Sequence, residues 1–333
     1  MMNVLLPQPI ENDAVRLLED DGCTVTVAPD PRPETVLPMM DKAHGLILRT
    51  GIRITRELIV GASNLMVIAR TGGGLDNVDL DAATDNEVIV TSNLGVNTIS
   101  VTEHVLALML SLSKWLPAMD RAVRGEDFAI RYKNLPRDVY GKTIGLVGFG
   151  RIGRQVADAC RQLFNMQVMA FDPYLPEEQE KQHQDWVTFS DLSNLLKASD
   201  VVSIHVPLSE DTRHLIDAEE IACMKSDAIL INTSRGGVVN ENELATALSN
   251  KSIGGAGLDV FSSEPVPHDS PLLKLENVIL TPHSAALTRE CVIRMATEAA
   301  RCVLDVFQGR EPANVANRDV LQREKFRHLK RIK

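Results

Sequence analysis

The hexapeptide Gly148-Phe149-Gly150-Arg151-Ile152-Gly153 most narrows the folds open to this chain. It follows the apolar run 143–147 and leads into a helix-compatible pattern, so it reads as the turn of a strand–turn–helix unit. Gly148 permits the tight turn, Gly150 lets the backbone approach an anionic diphosphate, and Gly153 lets the helix lie close on the strand. The amide-rich helix start then receives the negative charge. An acid, Asp172, stands after the next strand, near the ~20-residue offset of a carboxylate that takes the ribose hydroxyls of a dinucleotide. A turn that only packs has no need of that acid. A carboxylate accepts from both ribose hydroxyls and repels a 2′-phosphate, and the following Pro173 and Tyr174 bring no positive charge. The pattern predicts NAD rather than NADP.

The rest of the chain alternates in the same way. Strand-like runs at 4–6, 24–27, 45–48, 66–69 and 88–91 are separated by helix-compatible segments at 11–19, 33–42, 55–62 and 80–85. A second series of strands is expected at 143–147, 167–171, 201–205, 228–232, 255–259 and 278–280, with helices such as 154–163, 242–249 and 288–307. Short apolar strands alternating with amphipathic helices imply doubly wound parallel sheets covered on both faces, an α/β class. Between the series, Val101, Val105, Leu108, Leu112 and Trp115 recur at helical spacing and predict one long helix over 100–124, followed by a connecting loop over 125–138. The Lys- and Arg-rich tail from Arg318 reads as a solvated end. At 333 residues the chain suits two domains rather than one.

Composition removes several classes of function. Thirty-five Lys and Arg against 45 Asp and Glu leave a formal net charge of -10, the opposite of a nucleic-acid binder's basic footprint. No apolar run approaches the ~18 residues of a membrane span, and the start shows no basic region ahead of an apolar one. Cys23, Cys160, Cys223, Cys291 and Cys302 form no CxxC pair, so neither a disulfide framework nor a metal site is expected. A cytoplasmic protein without nucleic-acid or membrane partners is the expectation.

The later strands end in polar residues that apolar strands do not need: Arg235 in Asn232-Thr233-Ser234-Arg235-Gly236-Gly237, Asp259, and His283 in Thr281-Pro282-His283. Ligands of open parallel sheets bind at the carboxyl ends of the strands. Glu264, five residues past Asp259, is within reach of the same edge. Arg, His and Glu beside a nicotinamide suit carbonyl–alcohol chemistry. The Arg binds a carboxylate and polarises a carbonyl, the His passes a proton, and the Glu orients the His and stabilises its charged form. Taken singly, each has a structural reading as a turn cap or loop residue. His205 reads as part of the cofactor wall, and His104 as a packing or interface residue.

These motifs, in this order, resemble the D-isomer-specific 2-hydroxyacid dehydrogenases, and the likeness runs from about residue 3 to 315. The resemblance implies two Rossmann-like domains, with an NAD-binding domain (99–287) inserted into a discontinuous substrate domain (1–98 and 288–333). It also implies a homodimer supported by the helix after residue 100. Carried over by position, Arg235 would bind substrate, His283 would donate the proton and Glu264 would be its partner. Gly148, Gly150, Arg151, Ile152, Gly153 and Asp172 would hold NAD, with Val206 and Pro207 on its wall. Thr233, Ser234, Asp259, Ser284, Ala285 and Ala286 would lie on its nicotinamide side. Arg70, Gly72 and Gly73 match the loop that holds the substrate carboxylate. Arg49 matches an Arg that binds substrate phosphate in the phosphoglycerate branch. Gly73 replaces a frequent Thr, and His283-Ser284-Ala285-Ala286 departs from the commoner His-Ile/Leu-Gly-Gly/Ala. Ending at Lys333, the chain is expected to lack the regulatory domain some phosphoglycerate dehydrogenases carry. Hydride transfer between NAD(H) and a 2-hydroxyacid is the implied activity, with D-3-phosphoglycerate as the candidate 2-hydroxyacid. A hydroxypyruvate or glyoxylate reductase and a non-catalytic, NAD-responsive corepressor are the alternatives. Glu264 argues against the formate dehydrogenases, which resemble the scaffold with Gln there.

Overall fold

The structure, a computed structural model, describes residues 1–133 and 135–331. They form two compact units: Met1–Asn97 together with the chain from Leu287 onward, and Thr98–Ala286.

In the first unit β1 (Asn3–Leu6), α1 (Asn12–Asp20), β2 (Thr24–Val27), α2 (Pro33–Met40), β3 (Gly45–Leu48), α3 (Arg56–Val60), β4 (Val67–Arg70), α4 (Leu80–Asp85) and β5 (Ile89–Thr91) alternate along the chain. The strands pair in parallel in the order β2-β1-β3-β4-β5. Side chains of a strand alternate between the sheet's faces, and both faces here are apolar. Ile47, Val67 and Ala69 join one core with Ala14 and Leu18 of α1, whereas Leu46, Leu48 and Ile68 join the opposite core with Val36 and Met40 of α2.

In the second unit α5 (Thr98–Ser113), α6 (Leu116–Arg124) and α7 (Ile130–Lys133) precede the sheet. Then come β6 (Thr143–Val147), α8 (Arg151–Phe164), β7 (Gln167–Phe171), α9 (Glu177–His183), β8 (Val187–Phe189), α10 (Leu192–Ala198) and β9 (Val201–Ile204). They are followed by α11 (Ala218–Cys223), β10 (Ile229–Asn232), α12 (Glu241–Ser249), β11 (Gly255–Leu258) and β12 (Val278–Leu280). The seven strands are parallel in the order β12-β11-β10-β9-β6-β7-β8. The chain therefore winds outward from β6 to β8, crosses back to β9 and winds the other way. The carboxyl ends of β6 and β9 flank the point where the order reverses, which is where open α/β sheets bind ligands. The α/β reading of two doubly wound parallel sheets is correct.

The chain closes the first unit with α13 (Arg289–Phe307), β13 (Arg310–Glu311) and β14 (Lys330–Arg331). Ala296, Ala299, Ala300 and Val303 of α13 lie in the core beside α1.

Three expectations need correction. The helix over 100–124 is broken: α5 stops at Ser113, Trp115 takes a left-handed φ of 53°, and α6 restarts at Leu116 with a proline in its first turn. Pro117 lacks an N–H and would clash with the carbonyl of residue 113 in a continuous helix, so the chain turns there. The segment 125–138 holds the short helix α7. The tail from Arg318 is not simply solvated. Val320 and Phe326 are buried, and Lys325 Nζ donates to the carbonyls of Leu65 and Glu87. Burial lowers the Lys325 pKa. Asn317 fastens the same segment to β5, accepting from the Val90 amide and donating to the Val88 carbonyl. Among the described residues no helix is long and apolar enough to cross a membrane, and no side-chain group is arranged to hold a metal ion. The five cysteines are unpaired.

Candidate active site

The glycine turn sits between β6 and α8. Gly148 has φ of 98°, and a Cβ there would lie 2.9 Å from the His205 carbonyl group. A Cβ on Gly153 would lie 2.3 Å from the Gly148 oxygen, so only glycine lets α8 begin this close to the strand. At Gly150, by contrast, a Cβ would meet nothing within 4 Å, leaving open space above the helix start where an anion is favoured. Arg151 and Ile152 open α8 beside it. Asp172, just past β7, accepts the Phe149 amide at 2.9 Å and the Tyr174 amide at 3.1 Å, which ties it to the glycine turn. Phe149 is fully buried, edge-on to His183 and Phe189.

The end of β9 supplies the opposite wall. His205 Nε2 lies 2.9 Å from Ser203 Oγ. The residue keeps some accessible surface, but its imidazole is enclosed by protein, and burial pushes its pKa down to about 4. Val206 and Pro207 follow, and Thr212 Oγ donates to the Pro207 carbonyl at 2.6 Å.

At the end of β10 a tight polar turn presents Arg235. Asn232, 1% exposed, accepts from the amide and hydroxyl of Ser234 and donates to the Arg235 carbonyl at 2.8 Å. Arg235 Nη1 donates to the Ser234 carbonyl at 2.7 Å. A Cβ on Gly236 would sit 1.9 Å from the Phe261 carbonyl carbon, so glycine there lets the loop after β11 close on this turn. Thr233 Oγ is buried with no hydrogen-bond partner. An unsatisfied buried hydroxyl costs on the order of 1–3 kcal/mol, which a ligand atom relieves.

The loops after β11 and β12 bring Glu264 and His283 together. His283 Nδ1 is 2.9 Å from Glu264 Oε2, while Glu264 Oε1 accepts the Phe261 amide. Both side chains are partly exposed, at 43% and 38%. His283 adopts φ of 51°. Its amide donates to the Asp259 carbonyl at 2.8 Å, and the Asp259 carboxylate accepts the amides of Ser284 and Ala285 at 2.8 and 2.9 Å. Thr281 Oγ completes that cage at 2.6 Å from Asp259 Oδ1. Asp259 therefore acts on the loop bearing His283, and Ala286 ends the same loop.

In the first unit, Arg70 is buried, with Nε donating to Asn77 Oδ1 at 3.1 Å and its guanidinium beneath Gly72. A Cβ on Gly73 would meet the Asn93 carbonyl oxygen at 3.9 Å. Asn93, which the motifs did not point to, is 1% exposed and donates to the carbonyls of Thr71 and Met295, fixing the same loop. Arg49, past β3, has its Nη1 3.3 Å from Glu11 Oε1. His104 of α5, expected to be a packing or interface residue, places Nε2 3.0 Å from Thr281 Oγ. Nothing in local sequence marks Asn77 or Asn93, because their partners are set by the fold.

Open space above Gly150, an acid at the neighbouring strand end and an orphaned hydroxyl at Thr233 together fit a dinucleotide. The second unit is thus a dinucleotide-binding fold that carries a hydrogen-bonded His–Glu pair at its sheet edge. Comparison with known proteins agrees. The family model described as "D-isomer specific 2-hydroxyacid dehydrogenase, NAD binding domain" matches residues 106–285. The D-3-phosphoglycerate dehydrogenase of Methanocaldococcus jannaschii is 39% identical over 332 residues, covering 99% of this chain and 62% of that protein. The glyoxylate reductase of Korarchaeum cryptofilum is 38% identical over 295 residues, 88% of each chain. The crystal structure of D-lactate dehydrogenase with NAD+ from Lactobacillus jensenii matches with a TM-score of 0.80 at 25% identity, covering 95% of this chain and 99% of that one. The chain belongs to the D-isomer-specific 2-hydroxyacid dehydrogenase family. It spans 62% of the length of the Methanocaldococcus relative.

His205 yields a prediction about stability. Its native pKa lies below the ordinary value of 6.5, so the unfolded chain takes the proton first as pH falls. The contribution is full above pH 6.5 and drains away as pH falls to about 4. The shift is worth roughly 3 kcal/mol. The unfolding free-energy difference between the native protein and His205→Gln should therefore shrink by about that amount between pH 7 and 4 in urea titrations. A pH-independent difference would show that the ring titrates normally.

Proposed function

We propose that the protein is an NAD-dependent D-2-hydroxyacid dehydrogenase. The observation that carries this reading is the 2.9 Å His283–Glu264 pair on the sheet edge that also bears the glycine turn and Arg235. When bound, the nicotinamide supplies hydride to C2 of a 2-oxoacid or takes it from the 2-hydroxyacid. His283, with Nδ1 turned to Glu264, uses Nε2 to give the proton to the substrate oxygen as it becomes an alcohol, and to take it in the reverse direction. Glu264 fixes the ring's tautomer and balances its positive charge. Arg235 binds the carboxylate through its planar fork. Asp172 accepts the ribose hydroxyls. The purified protein should reduce 2-oxoacids with NADH in preference to NADPH, and Asp172→Ser should narrow the gap. His283→Ala should lower kcat by about 10²–10⁴-fold while NADH affinity, read by fluorescence titration, stays near normal. Near-normal turnover in that variant would refute the reading. Intact NADH binding with no turnover of any 2-oxoacid would favour the corepressor-like alternative.

For the substrate, we favour a 2-oxoacid with a second anion at C3, 3-phosphohydroxypyruvate, with Arg49 at the carboxyl end of β3 as the added cation. The Arg49–Glu11 contact supports the second reading, an unphosphorylated acid such as hydroxypyruvate or glyoxylate, because Glu11 already balances that charge. Arg49→Ala should raise KM for 3-phosphohydroxypyruvate far more than for hydroxypyruvate. Equal effects, or a wild-type preference for the unphosphorylated acid, decide for the second reading.

We also infer a homodimer formed through the helices ahead of the second sheet. Ile99, Leu116, Val123, Phe128 and Tyr132 of this region are all exposed, an apolar area of the kind that marks interfaces. Light scattering should report a dimer for the wild type and a monomer for Leu116→Asp/Val123→Asp. A monomeric wild type would overturn this.

A further inference from the structure

The hydroxyl of Thr281 has one proton and two close neighbours: Asp259 Oδ1 at 2.6 Å and His104 Nε2 at 3.0 Å. Asp259 is 1% exposed, and its carboxylate already faces two backbone amides, those of Ser284 and Ala285. Donors of that kind favour the ionised form, which can only accept. Thr281 must therefore give its proton to Asp259. The contact with His104 then forms only if the proton lies on Nε2 of the imidazole, which donates to the Thr281 oxygen. A His104 protonated on Nδ1 alone would instead compete for the Thr281 proton and leave Asp259 a donor short. His104 Nε2 also lies 3.7 Å from Asp259 Oδ1, so a proton on that nitrogen places positive charge toward the buried carboxylate.

This chain of bonds ends at the proton donor. Asp259 holds the Ser284 and Ala285 amides through its side chain and the His283 amide through its carbonyl. Those three amides follow one another in a segment where His283 has φ of 51°, a left-handed conformation that a side chain adopts only when its surroundings impose it. We propose that His104 is a positioning residue for His283. By donating from Nε2 it commits the Thr281 proton to Asp259, and the fully satisfied Asp259 fixes the backbone that aims the His283 ring. This rests on the dehydrogenase reading for its kinetic consequence, and on the hydrogen-bond geometry alone for its structural one.

Two measurements test it, one without turnover. In protein labelled with 15N-histidine and free of ligand, the His104 ring nitrogens should show the proton on Nε2. In His104→Leu, the His283 ring and backbone amide resonances should shift, while His104→Gln, which keeps an N–H donor near the same place, should restore them. In turnover, His104→Leu should lower kcat on the order of tenfold or more, the scale of a small misplacement of a reacting group. KM for the 2-oxoacid and NADH affinity should change little, and His104→Gln should recover most of the loss. Thr281→Val and His104→Leu should be non-additive in kcat, because they cut the same chain. An Nδ1–H tautomer, unshifted His283 resonances, wild-type kcat in His104→Leu, or additive losses would each overturn the proposal. A wild type without 2-oxoacid reductase activity would instead overturn the dehydrogenase reading, and the resonances would still decide what His104 does.

Discussion

A carboxylate sunk in protein must be surrounded by donors or it will not stay ionised. Asp259 meets that demand at the one place where it shapes a site. Its donors are the Ser284 and Ala285 amides and the Thr281 hydroxyl, and its own amide is anchored on the Asn232 carbonyl at the end of the next strand. Two strand ends are thereby drawn together: β10, which leads into the Arg235 turn, and β12, which leads into the His283 loop. Satisfying one buried charge thus positions two groups that meet substrate in the proposed reaction.

The sheet explains why so few polar residues suffice. Strands buried on both faces are apolar through their lengths, and polar side chains become affordable only where the ladder ends and backbone groups need new partners. Asn232 shows this directly: it caps the turn after β10 with three hydrogen bonds and fixes the backbone that carries Arg235. Gly236 acts by absence, since any side chain there would collide with Phe261 and separate the Arg235 turn from the loop carrying Glu264.

What the sequence made legible follows the same division. Doubly covered parallel strands read as short apolar runs, so both sheets are visible in the sequence, as is the glycine turn with its acid. The short edge strand β8 is not, because its three residues include an exposed Thr188 and give no periodic signal. The break at Trp115 was legible in principle from Pro117, but an apolar stripe at helical spacing masked it. The roles of His104 and Asn93 had no local signature. His104 meets Thr281 across 177 positions, and Asn93 meets Met295 across 202, so only the folded chain defines their partners. Arg70, matched to the loop that holds the substrate carboxylate, directs its Nε at Asn77, a partner seven positions on that the motif does not name.

In the proposed reaction Asp172 joins cofactor choice to the stiffness of the turn. The carboxylate proposed to exclude a 2′-phosphate is the same group that accepts the Phe149 amide, inside the glycine turn, and the Tyr174 amide beyond β7. Those bonds point the carboxylate before any ribose arrives, so little ordering remains to be done on binding. They also mean that selectivity cannot be rewritten at this position alone. A residue that welcomes a 2′-phosphate, such as Arg, brings donors where two backbone amides need an acceptor. The Phe149 amide would then lose its partner next to Gly148, whose φ of 98° already requires the turn to be held. Charge recognition and backbone support are carried by one side chain here, and a chain that bound the phosphorylated cofactor well would need a second acceptor to take over the support.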